Sequence, residues 1–263
     1  MSRQKAATRA RRELRRSLRK ESRSSRLKEI NNVASFADFT GIETIGMACE
    51  TRDRSPIIPR SEVQRQYIEA IKWQKLILAN GEAGCGKTFI SSAMAADALI
   101  NKEINKIIVT RPVLQAEEDL GFLPGDMAEK FAPFFRPVYD ILAKRLGHSF
   151  LQYCLRPEIG KVEIAPFAYM RGRTFENAFV ILDEAQNVTA NQMKMFLTRL
   201  GENVTVVVNG DVSQCDLPLG IISGLEDALR RFNCDDLVSV VRFTIGDCVR
   251  SELCHKALLA YEL

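Results

Sequence analysis

The sequence predicts an α/β domain built around a parallel sheet. Three observations lead there. Five short runs bounded by turn residues, Leu76–Asn80, Lys106–Arg111, Phe179–Asp183, Val204–Asn209 and Val238–Phe243, each hold a continuous aliphatic or β-branched stretch instead of alternating polar and apolar residues. That pattern marks strands buried on both faces. Segments of helical period lie between the runs, at Thr88–Lys102, Asp126–Leu146, Ala190–Leu200 and Gly220–Phe232, and helices are what connect parallel neighbours. The first run also leads directly into a glycine-rich loop, Gly81 to Thr88.

With 263 residues, 46% hydrophobic and 27% charged, the chain is globular in composition. Collagen-like, disulfide-scaffold and wholly disordered chains are excluded. The formal net charge of +4 is unevenly spread. Residues 1–28 hold twelve Lys/Arg against Glu13 and Glu21, a balance of +10, and the remainder carries −6. The arm is polar, with Ala10, Leu14 and Leu18 spaced for a thin helical stripe. Residues 31–56 show no period and end at Ser55-Pro56, as a linker does. The expected organisation is therefore a basic arm and linker over 1–56 and one domain over 57–263. An Arg- and Ser-rich arm also suits a mitochondrial transit peptide, although Glu13 and Glu21 count against it. No apolar run approaches the ~18 residues of a membrane span, so no membrane partner is expected. Seven cysteines, odd in number and without a C-x-x-C pair, suggest free thiols in a reducing cytoplasm. Cys248, Cys254 and His255 match no zinc spacing.

The loop Gly81-Glu82-Ala83-Gly84-Cys85-Gly86-Lys87-Thr88 fits G-x-x-x-x-G-K-[ST], the phosphate-binding P-loop. It follows a strand and opens a helix, as the chemistry requires. Glycines let backbone N–H groups turn toward phosphate oxygens at the positive end of a helix. Lys87 then reaches the β- and γ-phosphates, and the Thr88 hydroxyl ligates Mg²⁺. A glycine-rich turn with an exposed lysine is the plainer alternative. Cys85 takes a tolerant position in the loop.

Phe179 to Glu184 is an apolar strand ending in two acids. In an open α/β sheet that end lies beside the ligand. Asp183 is the candidate Mg²⁺-holding acid, and Glu184 is then free to orient and deprotonate water. The chain has two histidines, His148 and His255, and neither adjoins a motif, which favours a carboxylate base. Alone, Asp-Glu at a strand end would read as a helix cap and a solvated acid. A third strand ends in Asn209-Gly210-Asp211-Val212-Ser213-Gln214, where a polar group can report on the γ-phosphate.

These residues together resemble the PhoH family of P-loop ATPases, relatives of the helicase-type RecA-like proteins. The resemblance is carried by Thr110-Arg111-Pro112, Leu120 to Asp126, and the long run Ala165 to Leu200 with its AYMRGRTFENAFVILDEAQN stretch. Gly210-Asp211 with Gln214, Ser223-Gly224-Leu225, Asp247 to Arg250 and Ala260-Tyr261-Glu262 add to it. It runs from about Pro59 to the C-terminus and leaves the basic arm outside. It implies a single RecA-like core that binds and hydrolyses ATP with Mg²⁺. Gln64 takes the place of an adenine-reading glutamine, Gln214 that of a γ-phosphate sensor, and Arg250 that of an arginine finger, with Arg242 the alternative. Asn209, where Thr is expected, and Ser251, where His is expected, depart from the pattern. Some relatives add a PIN-type nuclease domain; a chain ending at Leu263 leaves no room for one.

Arg111, Arg171 and Arg173 lie in motifs that line the nucleic-acid path of helicase-like ATPases, so RNA or single-stranded DNA is an expected partner. The arm would add sequence-independent affinity. One core per chain also implies that an arginine finger comes from a neighbouring subunit, hence a closed ring, with a hexamer expected. Two other readings stay open. One is an ATP-dependent regulatory or assembly module with slow turnover. The other, a small-molecule kinase, is disfavoured by Glu184, which points to water as the nucleophile.

Overall fold

The computed structural model describes residues 52–112, 127–232 and 236–249, all within one compact unit, Glu50–Leu263. The basic arm, the Leu120–Asp126 motif, Arg250, Ser251, His255 and the Ala260-Tyr261-Glu262 motif lie outside the described residues.

Helix α1 (Glu62–Trp73) starts where the Ser61 hydroxyl accepts from the Gln64 amide, with Glu62 in its first turn and Lys72 in its last, both favourable to the helix dipole. Strand β1 (Leu76–Asn80) leads through the glycine loop into α2 (Lys87–Ile100). Next come β2 (Lys106–Arg111), α3 (Met127–Leu146) and α4 (His148–Leu155). Then follow β3 (Val162–Pro166), β4 (Ala178–Leu182) and α5 (Ala190–Leu197), whose Thr189 and Gln192 form a reciprocal cap. The order closes with β5 (Val204–Gly210), α6 (Gly224–Arg231) and β6 (Val238–Arg242).

The six strands form one all-parallel sheet in the order β3-β2-β4-β5-β1-β6. The central strands are buried almost throughout, β4 at every residue, because helices cover both faces. On one face Leu78, Val180, Leu182, Val206 and Val208 pack with Phe175, Phe196 and Leu225. The alternate residues Ile77, Ile107, Val109, Ile181 and Val207 are equally buried and face the other way, as the period of two dictates.

The expected α/β class and parallel central sheet hold. Two helices and one strand are additions to the sequence reading. β3 forms an edge of the sheet and is only half buried beyond Val162. It carries Glu163 and Pro166 where a central strand would be apolar. α1 is mostly polar along its exposed face and buries only Gln64, Tyr67, Ile68, Ala70 and Ile71. The β5 strand lies between β1 and β4, so the glycine loop and the two acids flank it at the same, C-terminal, end of the sheet.

Candidate nucleotide-binding site

The glycine loop turns on Gly81 (φ 147°), Gly84 (φ 90°) and Gly86 (φ 82°), conformations that residues with a Cβ rarely adopt. Space is equally restrictive at Gly81, where a Cβ would sit 2.5 Å from the Phe243 Cβ and carbonyl oxygen. The loop is held from several sides. Gln64 is buried on α1, donates from Nε2 to the Cys85 carbonyl at 2.9 Å and accepts from the Arg60 amide at 2.8 Å. The Val249 amide donates to the Gly84 carbonyl. Cys85 is fully buried, and burial pushes its thiol up to about 11, so it is no reactive thiolate.

Lys87 opens α2 and folds its ammonium onto the loop, donating to the Gly81 carbonyl and to the Glu82 carbonyl at 2.8 Å. Burial lowers its pKa, while Asp211, Asp183 and Glu184 favour its charge. Next to it, Thr88 Oγ1 donates to Asp183 Oδ1 at 2.9 Å. Burial, and then the adjacent Glu184, push the Asp183 carboxyl up; the Thr88 hydroxyl, Arg111 and Lys87 oppose them. A buried carboxylate beside a second carboxylate is poised to take a cation. With a hydroxyl alongside, the donor set is all oxygen, which suits Mg²⁺. These residues therefore fit an Mg²⁺–phosphate ligand.

Glu184 adopts the left-handed conformation (φ 54°, ψ 40°), uncommon outside glycine and worth notice beside a pocket. Its Oε1 accepts from Arg111 Nη2 at 3.2 Å and its Oε2 from Gln186 Nε2 at 2.7 Å. Gln186 was not apparent from the sequence as a site residue. It is buried, stands two residues beyond Glu184 in a short 3₁₀ turn (Ala185–Asn187), and accepts from the Asp211 amide at 3.1 Å. Asp211 in turn accepts from Gln214 Nε2 at 2.7 Å. A continuous chain thus runs from Glu184 through Gln186 to Asp211 and Gln214.

Ala83, Gly84, Gly86, Lys87, Thr88, Asp183, Glu184, Gly210, Asp211 and Gln214 line one open pocket of about 310 Å³, along with exposed Phe89. Asn209 lies behind it. It accepts from the Tyr67 hydroxyl at 2.7 Å and donates to Ser91 at 3.0 Å, and Ser91 donates to the Lys87 carbonyl at 2.9 Å. Asn209 therefore ties β5 to α1 and α2 from a fully buried position.

The three arginines expected on a nucleic-acid path differ. Arg111, at the end of β2, bridges Glu184 and the Phe134 carbonyl. Arg171 is exposed, just beyond a 3₁₀ turn (Phe167–Met170) that follows β3. Arg173 is committed to both oxygens of Glu163. Arg242 ends β6 and is exposed.

A parallel α/β sheet with a P-loop between β1 and α2 and a paired hydroxyl and acid beside it defines a P-loop NTPase. A family model described as "PhoH-like protein" matches residues 56–262, and the chain belongs to that family. It is 68% identical to Protein PhoH of Escherichia coli (strain K12) over 261 residues, 99% of this chain and 74% of that one. It is 49% identical to a PhoH-like protein of Bacillus subtilis (strain 168), across 76% of this chain and 62% of the relative. Among solved structures, the Pif1 helicase from Candida albicans aligns with a TM-score of 0.37 at 17% identity, over 72% of this chain and 40% of the helicase.

Proposed function

We propose that this protein binds and hydrolyses ATP with Mg²⁺ and couples turnover to translocation on, or remodelling of, RNA or single-stranded DNA. The observation that carries the proposal is the 2.9 Å contact between Thr88 of the P-loop and Asp183 of β4, on a pocket wall shared with Lys87 and Glu184. Loop N–H groups surround the phosphates, and Lys87 exchanges loop carbonyls for phosphate oxygens. Gln64 braces the loop through the Cys85 carbonyl, and contact with a base would use its second Nε2 hydrogen. Thr88 and Asp183 would hold Mg²⁺, which when bound neutralises charge developing on the β- and γ-phosphate oxygens. Glu184 orients water and takes its proton. Gln214, linked through Asp211 and Gln186 to Glu184, senses the γ-phosphate.

The arginine finger, Arg250 or Arg242, would come from a neighbouring subunit, in a ring that we take to be a hexamer. Exposed Arg171 and the +10 arm support a polyanionic partner. Cys85, Cys154, Cys215 and Cys248 are free thiols, in keeping with a cytoplasmic protein. No described helix is long and apolar enough to cross a membrane. A slow regulatory module is the second reading, favoured by one observation: both oxygens of Glu184 are engaged by protein donors.

The test is ATP turnover of wild type, Lys87→Ala and Glu184→Gln, with and without single-stranded RNA or DNA. Both variants should lose turnover, while Glu184→Gln keeps ATP binding. Normal hydrolysis by Glu184→Gln removes it as the base. A wild-type rate indifferent to polynucleotide favours the regulatory module.

A further inference from the structure

Arg111 has both arms of its guanidinium occupied. Nη2 donates to Glu184 Oε1 at 3.2 Å, and Nη1 donates to the Phe134 carbonyl of α3 at 3.1 Å. The remaining oxygen of Glu184 accepts from Gln186 at 2.7 Å. A carboxylate that is to take a proton from water must turn a lone pair toward it, and one hydrogen bond to each oxygen restrains how Glu184 turns. Here both oxygens face protein donors, and the backbone at Glu184 is left-handed.

The two restraints differ in how easily they yield. Gln186 is 2% exposed and has its other amide atom on Asp211, so it is fixed by its surroundings. Arg111 is 27% exposed and its partner Glu184 36%. Ion pairs this open are weak. Arg111 also stands at the C-terminal end of β2, in register with Pro166 of β3. The chain then passes through a single 3₁₀ turn to exposed Arg171, so two arginines lie at one end of the sheet. A guanidinium accepts a phosphodiester in the same forked geometry as a carboxylate.

Resting on the ATPase reading above, we propose that Arg111 is a positioning residue that withholds Glu184 from the attacking water, and that a phosphodiester of single-stranded nucleic acid releases Glu184 by taking the Arg111 guanidinium. Carboxylate and phosphodiester then compete for one cation. By linkage, weakening either contact strengthens the other.

Two measurements test this, one without turnover. In steady-state hydrolysis, Arg111→Ala should raise basal kcat about threefold, the scale of a partly exposed ion pair, with KM for ATP unchanged. Its rate should no longer respond to oligo(U) or oligo(dT). Arg111→Lys, which keeps one charged donor, should fall between variant and wild type in both respects. In nucleotide-free binding, followed by anisotropy of fluorescein-labelled oligo(U) and oligo(dT), Glu184→Gln should bind about threefold tighter than wild type, and Arg111→Ala weaker. The oligomer that responds identifies the source of the phosphodiester. A basal kcat that falls or stays level in Arg111→Ala, or an affinity unchanged in Glu184→Gln, overturns the proposal. Wild type that turns over no ATP overturns the ATPase reading instead, and the binding arm still decides whether Arg111 is shared.

Discussion

Glu163 on the edge strand β3 holds two cations, Lys106 of β2 at 2.6 Å and both guanidinium nitrogens of Arg173, whose guanidinium also lies 5.9 Å from the Phe175 ring centre. The hydrogen bonds from Arg173, helped by Lys106, outweigh desolvation and hold the carboxyl down from 4.5 to about 2. Glu163→Gln removes the charge and keeps the shape. Taken whole, a displacement of that size corresponds to roughly 3 kcal/mol. With the side chain 26% exposed, solvent screening reduces this to about 1–2 kcal/mol. A carboxyl depressed in the folded state stabilises above its unfolded value, and that contribution fades as pH falls from 4.5 to about 2. Urea unfolding should therefore find the variant weaker by about 1–2 kcal/mol at neutral pH, with the gap closing at the acid end of that window. A loss that persists undiminished into acid would mean that the charge of Glu163 is not what the substitution removes from stability. Oligonucleotide affinity of the same variant also bears on Arg173: an increase means that the freed guanidinium reaches nucleic acid.

Two further substitutions probe the pocket. Tyr67→Phe removes the hydroxyl that donates to buried Asn209 and leaves its carbonyl oxygen unsatisfied, so unfolding free energy should drop by about 1–3 kcal/mol; a negligible change would mean that Asn209 finds another donor. Asp183→Asn should make the ligand-free protein no less stable at neutral pH, because burial and Glu184 hold the native carboxyl above its ordinary value. That gain should vanish as pH falls below the ordinary carboxylate range, where wild type is protonated in both states. The rise in Tm on adding Mg²⁺ with a non-hydrolysable ATP analogue should shrink in the variant. An Asp183→Asn protein that is less stable and retains the full Mg²⁺-dependent rise contradicts the proposed role of the acid.

Of the five strands read from the sequence as buried on both faces, four are so, whereas β6 is an edge strand buried only at Val241. β1, β2, β4 and β5 carry unbroken apolar runs because helices cover them on both sides, and such runs need no knowledge of neighbours to be seen. β3 escaped because an edge strand half open to solvent carries Glu163 and Pro166. α1 escaped although its buried residues Gln64, Tyr67, Ile68 and Ile71 keep helical spacing, because the stripe opens on the polar Gln64. At the site, Lys87, Thr88, Asp183 and Glu184 stood out through spacing along the chain. Gln186 did not, since its role depends on reaching Asp211, 25 residues further on, across the turn from Glu184.

The sequence by itself determined that a glycine loop follows a buried strand, that two acids end another, and that a +10 arm precedes an acidic body. These are properties of neighbours along the chain, where backbone freedom, period and charge are written directly. Only the tertiary structure decided what those groups do to one another. The parallel sheet inserts β5 between the loop and the acids, brings Thr88 within 2.9 Å of Asp183 across 95 residues, and sets Arg111 against Glu184 across 73. Residues so distant in sequence meet because the C-terminal ends of parallel strands lie at one end of the sheet. Whether an arginine faces a carboxylate, a carbonyl or solvent is settled there by packing, which no local pattern encodes.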